Sequence, residues 1–574
     1  MKALLFLVPF LLLFAVACGD DSATDTPAAP APTTAPSIGG SDVSRVVAPS
    51  PTPVPRSTPL PTNTTAAGTS RVVDGGTLVR LGPEPPTLDP HLTTDASSSL
   101  YIVEIFGGLM TIDKDLAISG DLAEDWSVSE DASNYTFRLN RDARFHDGRR
   151  VTARDVQWSL ERAVDPATKA PTVDVFLGDI VGVSERLAGA ATQISGVQVI
   201  DDRTITIEID APKAYFLSKL TYPTSFVIDR NNVVGNPAWT AEPNGTGPFK
   251  LTEYEPGQVL LLSRFEDYHL GPAKLDEVRF MLSGGNSGLM FENGEIHATG
   301  RASIGLDTAL DPANPLSDLV VVAPPRFDVD YFGMNVTEPP FDDPKVRQAF
   351  NYAVDRQTLS RVLLDDSVVP ATGILPPGFP GFNPDLEGYE FNPEKARQLL
   401  EESKYGSDLA NLPQIILTLP GSFGAPVSPV TEAVLTMWET NLGVRMDLLQ
   451  TDWAIYIQDL QQRRFQMFGG LGWIADYPDP ENFLDVLFHG GSSNNHMDYA
   501  NSEVDLILER ARIEQDEDVR FELYHQAEEL IVEDAPWVPL WHSRGGYALA
   551  KPFVNDYFLF PLVIPRFRYV YFTE

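Results

Sequence analysis

The sequence contains very little cysteine, with Cys18 as the single example among 574 residues. One thiol excludes an intramolecular disulfide and any zinc site built on several thiolates. Basic residues are also scarce, because 42 Lys and Arg stand against 80 Asp and Glu and give a formal net charge of −38. Such an acidic chain repels the phosphates of nucleic acids, so nucleic-acid binding is not expected.

The sequence also lacks the motifs of common enzymes and metal sites. Its eight histidines are scattered and form no His-Glu-x-x-His pair, and no Gly-x-Ser-x-Gly nucleophile motif occurs. We therefore predict a protein that is not an enzyme and that uses no metal or cofactor. A secreted hydrolase is the competing interpretation from another functional class.

The first 18 residues have the pattern of a secretory signal. An apolar run extends from Ala3 to Ala17 and ends at Cys18. A run of about 15 residues suits a signal peptide, whereas a membrane-spanning helix needs about 20. Residues 15–18, Ala-Val-Ala-Cys, resemble a bacterial lipobox with Ala at the position where Leu is usual. We predict a signal peptide over 1–17 and lipid attachment at Cys18; an ordinary signal with an incidental cysteine is the alternative.

The segment that follows the cysteine has an unusual composition. Residues 19–70 contain ten prolines and no aromatic residue. Such a segment cannot bury enough apolar surface to fold, so we predict a disordered Pro/Thr/Ser linker over 18–70. No later run of 18 apolar residues occurs. The sequence thus predicts a folded, extracytoplasmic body tethered to the membrane through its lipid.

From residue 71 onward, strand and helix patterns alternate without a fixed repeat. Alternation of apolar residues predicts strands over 76–81 and 135–139, and a hairpin over 197–209 that turns at Asp201-Asp202. A helix is expected over 151–160, with Thr152 as its N-cap. Four further helices are expected over 344–354, 393–402, 429–441 and 519–533, three of them with Pro in the first turn. The body is therefore predicted to be a mixed α/β protein.

Several short motifs follow one another in order between residues 76 and 574. They are PTLDP at 86–90, DLAEDW at 121–126, FHDG at 145–148, GTGPFK at 245–250, PFDD at 340–343, WIADYPDP at 473–480 and APWVPL at 535–540. In this ordered set the chain resembles the family 5 extracellular solute-binding proteins of ABC importers, the oligopeptide- and dipeptide-binding group.

The resemblance implies a fold of the periplasmic-binding-protein type. Two hinged lobes with mixed sheets close on a ligand, and a small subdomain is inserted in lobe one. The motifs place lobe one at about 71–110, 197–326 and 544–574, the insertion at about 111–196 and lobe two at about 327–543.

The resemblance also implies an anchor for the ligand. A peptide presents an ammonium group, and a closed cleft desolvates that group, so a carboxylate partner is required. In the family, the Asp of the Trp-x-x-Asp motif pairs with the ligand's α-amino group, and Asp476 occupies that position here. Trp473 is expected to pack over the ligand. From the residues alone, Asp476 is equally an ordinary turn residue and Trp473 a core residue.

Two further features of lobe two concern the ligand. Asn494, Asn495 and His496 lie in a loop that the resemblance places near the mouth of the cleft, although a solvated turn is an equally good interpretation. Gly470 occupies a position where oligopeptide-binding relatives have an Arg that meets the ligand carboxylate. Either the carboxyl end of the ligand is held elsewhere, or the ligand is not a simple short peptide.

Together these features predict a monomeric, lipid-anchored protein on the extracytoplasmic face of the membrane. It is expected to capture di- to oligopeptides and to deliver them to an ABC permease and its ATPase. One alternative is another small solute, such as an oligosaccharide or an amine-bearing compound. A second is a ligand sensor or chaperone with the same fold.

Overall fold

The computed structural model describes residues 71–302, 304–406, 412–422 and 424–574. The predicted signal peptide, Cys18 and the linker lie outside these ranges. Within them, no helix combines the length and the apolar character that crossing a membrane requires.

The first large sheet has four strands, and its core forms around helix Ala96–Ile105. In spatial order the strands are Thr77–Leu81, Glu277–Met281, Val259–Arg264 and Phe249–Glu255. The first pair is parallel and the other two pairs are antiparallel. Leu78, Leu260 and Phe280 on the strands pack with Tyr101 and Ile102 of the helix, and all five are buried.

The second large sheet has six strands. In spatial order they are Val368–Pro370, Trp537–Ser543, Asp328–Met334, Met467–Ile474, Ile415–Pro420 and Met446–Thr451. The first three pairs are antiparallel and the last two are parallel. Trp438 of helix Pro429–Leu442 anchors the core on one face, where its indole N–H donates to the Phe350 carbonyl at 2.9 Å.

A third, antiparallel sheet contains the predicted hairpin. Its strands are Ala123–Val128, Asn134–Leu139, Thr204–Glu208 and Val197–Val199. An inserted subdomain that ends at residue 196 would divide this sheet, and we therefore propose that the insertion continues through Glu208. The other predicted domain borders stay predictions.

Short strands complete the sheets. Val72–Val73, Tyr571–Thr573 and Val554–Asn555 form one set, Val320–Ala323 pairs with Gly546–Leu549, and Met110–Ile112 pairs with Ile118–Gly120. The remaining α-helices are Ala153–Ala163, Val173–Leu177, Val183–Leu187, Phe216–Lys219, Arg230–Val233, Ser287–Glu292, Leu306–Leu310, Pro344–Tyr352, Arg356–Thr358, Pro393–Glu402, Trp453–Gln461, Glu481–Phe488, Ser502–Ile513 and Glu517–Asp534.

The predicted helix boundaries are confirmed where local chemistry sets them. Thr152 is the N-cap of Ala153–Ala163, and its backbone N–H donates to the Asp155 carboxylate at 2.8 Å. Three helices begin at Pro344, Pro393 and Pro429, where a missing N–H costs nothing.

The chain passes between the two large sheets twice, along adjacent segments. The first passage leads into strand Asp328–Met334 and the second leaves strand Trp537–Ser543. The Asp328 carboxylate accepts hydrogen bonds from the backbone N–H and the hydroxyl of Ser543, at 2.9 and 2.8 Å. This arrangement gives the fold two lobes joined by two adjacent segments, with lobe one holding the first large sheet and lobe two the second.

Candidate functional site

A cavity of about 250 Å³ lies between the two lobes. One wall comes from lobe one and the segments next to it, with lining residues within 94–112, 221–226 and 563–565. The opposite wall comes from lobe two, with lining residues Tyr331 and His496 and others within 453–476. Clefts between lobes are common ligand sites because both walls contribute recognition groups.

Asp476 lines this cavity, as predicted for a ligand anchor. It follows strand Met467–Ile474 and precedes helix Glu481–Phe488, so the turn between them directs it toward the cleft. Its Oδ2 accepts a hydrogen bond from the side-chain amide of Asn482 at 3.1 Å. Among the described residues, no Lys, Arg or His forms an ion pair with this carboxylate, nor does any cation contribute to its electrostatics.

The electrostatics of Asp476 follow from this environment. Burial raises the pKa of Asp476 to about 7, with a smaller upward contribution from Glu481 and an opposing one from the Asn482 amide. An ammonium group that entered the cavity would supply the positive charge that this carboxylate lacks.

Asn482 connects the two residues that the sequence singled out. Its side-chain oxygen accepts from the Asp476 backbone N–H at 2.8 Å and from the Trp473 indole N–H at 3.4 Å. Asn482 itself is fully buried, whereas Trp473 is half-buried and lines the cavity. Sequence reasoning missed Asn482, and its only signal is a position in the first turn of the helix that follows Asp476.

The three predicted loop residues differ in whether they line the cavity. His496 is buried and lines the cavity, and burial, helped by the Arg463 charge, lowers its pKa to about 3. Its Nε2 has no hydrogen-bond partner among the described residues. Asn494 and Asn495 are buried in the same loop but do not line the cavity, and the Asn495 amide donates to the Tyr499 carbonyl at 2.6 Å. Their predicted ligand contacts stay predictions.

Aromatic rings that the sequence did not identify form much of the remaining lining. Tyr222 stacks on Phe176 with ring centroids 3.6 Å apart, and Tyr331 stacks on Trp537 at 3.4 Å. Trp453 also lines the cavity, and its indole N–H has no acceptor among the described residues. No sequence pattern links these rings, because folding brings them together from distant segments.

Gly470 and Asp479 lie outside the cavity lining. Gly470 has φ 73°, a left-handed conformation that strains any residue with a Cβ, so an Arg is disfavoured here by the backbone itself. The Asp479 carboxylate is held by both oxygens to the Arg520 guanidinium, at 3.0 and 2.9 Å. This pairing gives Asp479 a structural role.

Comparison with known proteins places these features in a family. Residues 117–495 match the model described as bacterial extracellular solute-binding proteins, family 5 Middle. The dipeptide-binding protein DppE of Bacillus subtilis is 33% identical over 479 residues, which cover 80% of this chain and 85% of the relative. The periplasmic oligopeptide-binding protein OppA of Escherichia coli is 28% identical over 495 residues, with coverage of 84% and 89%.

A solved structure shows the same two-lobed fold. The murein tripeptide binding protein MppA of Escherichia coli superimposes with a TM-score of 0.79 at 26% identity, covering 88% of this chain and 99% of the other. Against a structure of MppA described as the unliganded open form, the TM-score is 0.61 with the same identity and coverage. The conformation described here therefore differs more from that open form than from the first MppA structure.

Proposed function

Because the chain belongs to family 5 of the bacterial extracellular solute-binding proteins, we propose that it captures peptides, from dipeptides upward, and delivers them to an ABC permease. The observation that carries the proposal is Asp476, a carboxylate in an inter-lobe cavity without a cationic partner among the described residues. A peptide's α-ammonium group fits this carboxylate, and the aromatic lining suits apolar side chains.

The names of the relatives support a peptide as the ligand class. DppE and OppA are named for dipeptides and oligopeptides, and a relative from Salmonella choleraesuis, 28% identical over 81% of this chain, is named for glutathione. The cavity volume of about 250 Å³ lies just below the range of roughly 300–1,000 Å³ for drug-sized ligands. We therefore place short peptides first among the candidate ligands.

Capture involves closure of the two lobes around the two segments that connect them. Contacts already cross the cleft: the Lys219 ammonium is 2.9 Å from the Glu481 carboxylate, and the Ser493 hydroxyl donates to Asp174 at 2.7 Å. Small-angle scattering should show a smaller radius of gyration when peptide is added. An unchanged radius at saturating peptide contradicts hinge closure.

Native mass spectrometry of the purified protein tests the ligand class directly. A closed cleft retains ligand, so a bound mass equal to that of a short peptide supports the proposal. A bound haem-like or oligosaccharide mass contradicts it; a relative named heme-binding protein A, from Haemophilus influenzae, is 29% identical over 76% of this chain. Titration calorimetry with dipeptides then gives the affinity.

Attachment of the protein to the membrane is a separate part of the proposal. Cys18 carries the lipid, and the residues up to 70 form the tether between the lipid and the monomeric binding domain. Cys18→Ser should move the protein from the membrane pellet to the soluble fraction. A variant that still pellets with membranes contradicts lipid attachment at this residue.

A further inference from the structure

We propose that the cavity accepts an amine but rejects a carboxylate, so that its ligand presents an ammonium group to Asp476 and has no carboxylate inside the cavity. The inference rests on the proposed function and specifies its ligand class as amine-bearing compounds that are neutral elsewhere, such as peptides with an amidated or distant carboxyl end. Its basis is the charge of the lining.

The charged side chains of the lining all have the same sign. Within the described part of the chain, the lining includes Asp95 and Asp476 but neither Lys nor Arg. His496 is held neutral, so it offers no compensating charge either. A dipeptide bound wholly within this cavity would therefore leave its carboxylate desolvated and without a counter-ion, which is strongly unfavourable.

The partial positive charge of a helix N-terminus could replace a cation. Two α-helix N-termini lie at the cavity, and an aspartate side chain caps each of them. Helix Ala96–Ile105 is capped by Asp95, whose Oδ1 accepts from the Ser98 N–H at 2.9 Å. Helix Trp453–Gln461 is capped by Asp452, whose Oδ1 accepts from the Ala454 N–H at 3.0 Å. Each carboxylate accepts from one of the terminal N–H groups and places a negative charge where an anion would otherwise bind.

Two cations near the lining are committed elsewhere. Lys219, close to the lining residues 221–223, contacts both Asp179 at 3.0 Å and Glu481 at 2.9 Å. Arg463 pairs with Asp498 at 3.2 Å and donates to the Ser492 carbonyl at 2.9 Å. Arg566 follows the lining residue Pro565, and its Nε has no hydrogen-bond acceptor among the described residues, but its guanidinium packs over the Phe567 ring and is not part of the lining.

The free polar atoms of the lining suit a neutral partner. The Trp453 indole N–H and the His496 Nε2 both lack hydrogen-bond partners among the described residues. An indole N–H binds a carbonyl oxygen, and a neutral imidazole nitrogen exchanges a hydrogen bond with an amide or hydroxyl group. These atoms match a peptide or terminal amide.

The test compares matched ligands by titration calorimetry on the full chain. Ala-Ala, Phe-Ala and Leu-Leu are each measured as the free dipeptide, the C-terminal amide and the N-acetyl dipeptide. For a sequence that binds, we expect the amide to bind at least tenfold more tightly than the free dipeptide, and the N-acetyl form to show no binding.

The outcomes separate this inference from the proposed function. A ratio below tenfold, or tighter binding of the free dipeptide, overturns the inference and leaves peptide capture intact. Absence of binding by all free and amidated forms contradicts capture of short peptides and the inference with it. Binding of the N-acetyl form contradicts the amine anchor on which both depend.

Discussion

Four acidic residues lie in the turn after strand Met467–Ile474 and in the helix that follows it, Glu481–Phe488, and they differ in their partners. Three are paired across the fold: Asp479 with Arg520 at 2.9 Å, Glu481 with Lys219 at 2.9 Å and Asp485 with Arg512 at 2.7 Å. Asp476 instead contacts the neutral amide of Asn482 and faces the cavity. The three paired residues each have a cationic partner in the fold, whereas the fourth has none among the described residues.

The comparison shows that acidic residues close together in the sequence differ in their partners, and that only Asp476 of the four lines the cavity. Arg512 and Arg520 come from the helices Ser502–Ile513 and Glu517–Asp534 of the same lobe. Lys219 comes from outside lobe two and is itself buried, so the Glu481 pair joins the two sides of the cleft. A buried carboxylate without such a partner is a mark of functional sites.

The largest effect should come from breaking a paired member of this set. Asp479→Ala leaves the buried Arg520 guanidinium without its counter-ion, and we expect the free energy of unfolding to fall by about 3 kcal/mol. Urea denaturation followed by tryptophan fluorescence measures the change. Unchanged stability would show that the pair contributes nothing and would remove the contrast with Asp476.

Asp476→Asn should have the opposite effects, with affinity for peptide reduced and stability kept. The substitution removes the charge of a half-buried carboxylate without a cationic partner, while the new side-chain oxygen can still accept from Asn482, so unliganded stability should stay the same or rise. Affinity for peptide should fall at least tenfold, or about 1.4 kcal/mol. Calorimetry measures it, with Glu432→Gln as a control that makes the same charge change at an exposed position. Unchanged affinity contradicts the amine-anchor role.

The sequence predicted best what local chemistry determines. The Pro residues at 344, 393 and 429 begin helices as expected, and the turn at Asp201-Asp202 joins two paired strands. The ordered motifs identified the two-lobed fold, which the solved relatives confirm. Each of these features depends on neighbours in the sequence or on motifs in which the chain resembles its family.

Partners from distant segments were beyond sequence reasoning. Asn482 has no charge and no motif, yet it holds Asp476 and Trp473 together. Asn494 and Asn495 share a loop with His496, but the loop turns only the histidine toward the cavity. A position in the chain does not show which way a side chain points, and the lack of a counter-ion is visible only after folding.

The pH dependence of binding should distinguish Asp476 from its paired neighbours. Its folded pKa of about 7 lies above the ordinary value of 3.8, so this group stabilises the unliganded fold at low pH and loses that contribution between about pH 4 and 7. Pairing with an ammonium requires the ionised form, so affinity should fall about tenfold from pH 8 to pH 6.

Calorimetry at pH 6, 7 and 8 measures this dependence. Asp476→Asn should flatten the profile; any slope that remains would come from another group such as Glu481, whose pKa burial raises against the opposing charge of Lys219. An identical slope in the variant would assign the dependence to Glu481 or another group.

The smallest effect should come from Asn482→Ala, which keeps the carboxylate and removes its support. Without the amide, Asp476 and Trp473 are less well oriented, and we expect affinity to fall about threefold to fivefold, or about 0.7–1 kcal/mol. The Asn482 hydrogen bond also lowers the pKa of Asp476, so its loss should move the pH midpoint of binding upward. A purely structural residue would weaken binding without moving that midpoint, so an unshifted midpoint contradicts the positioning role.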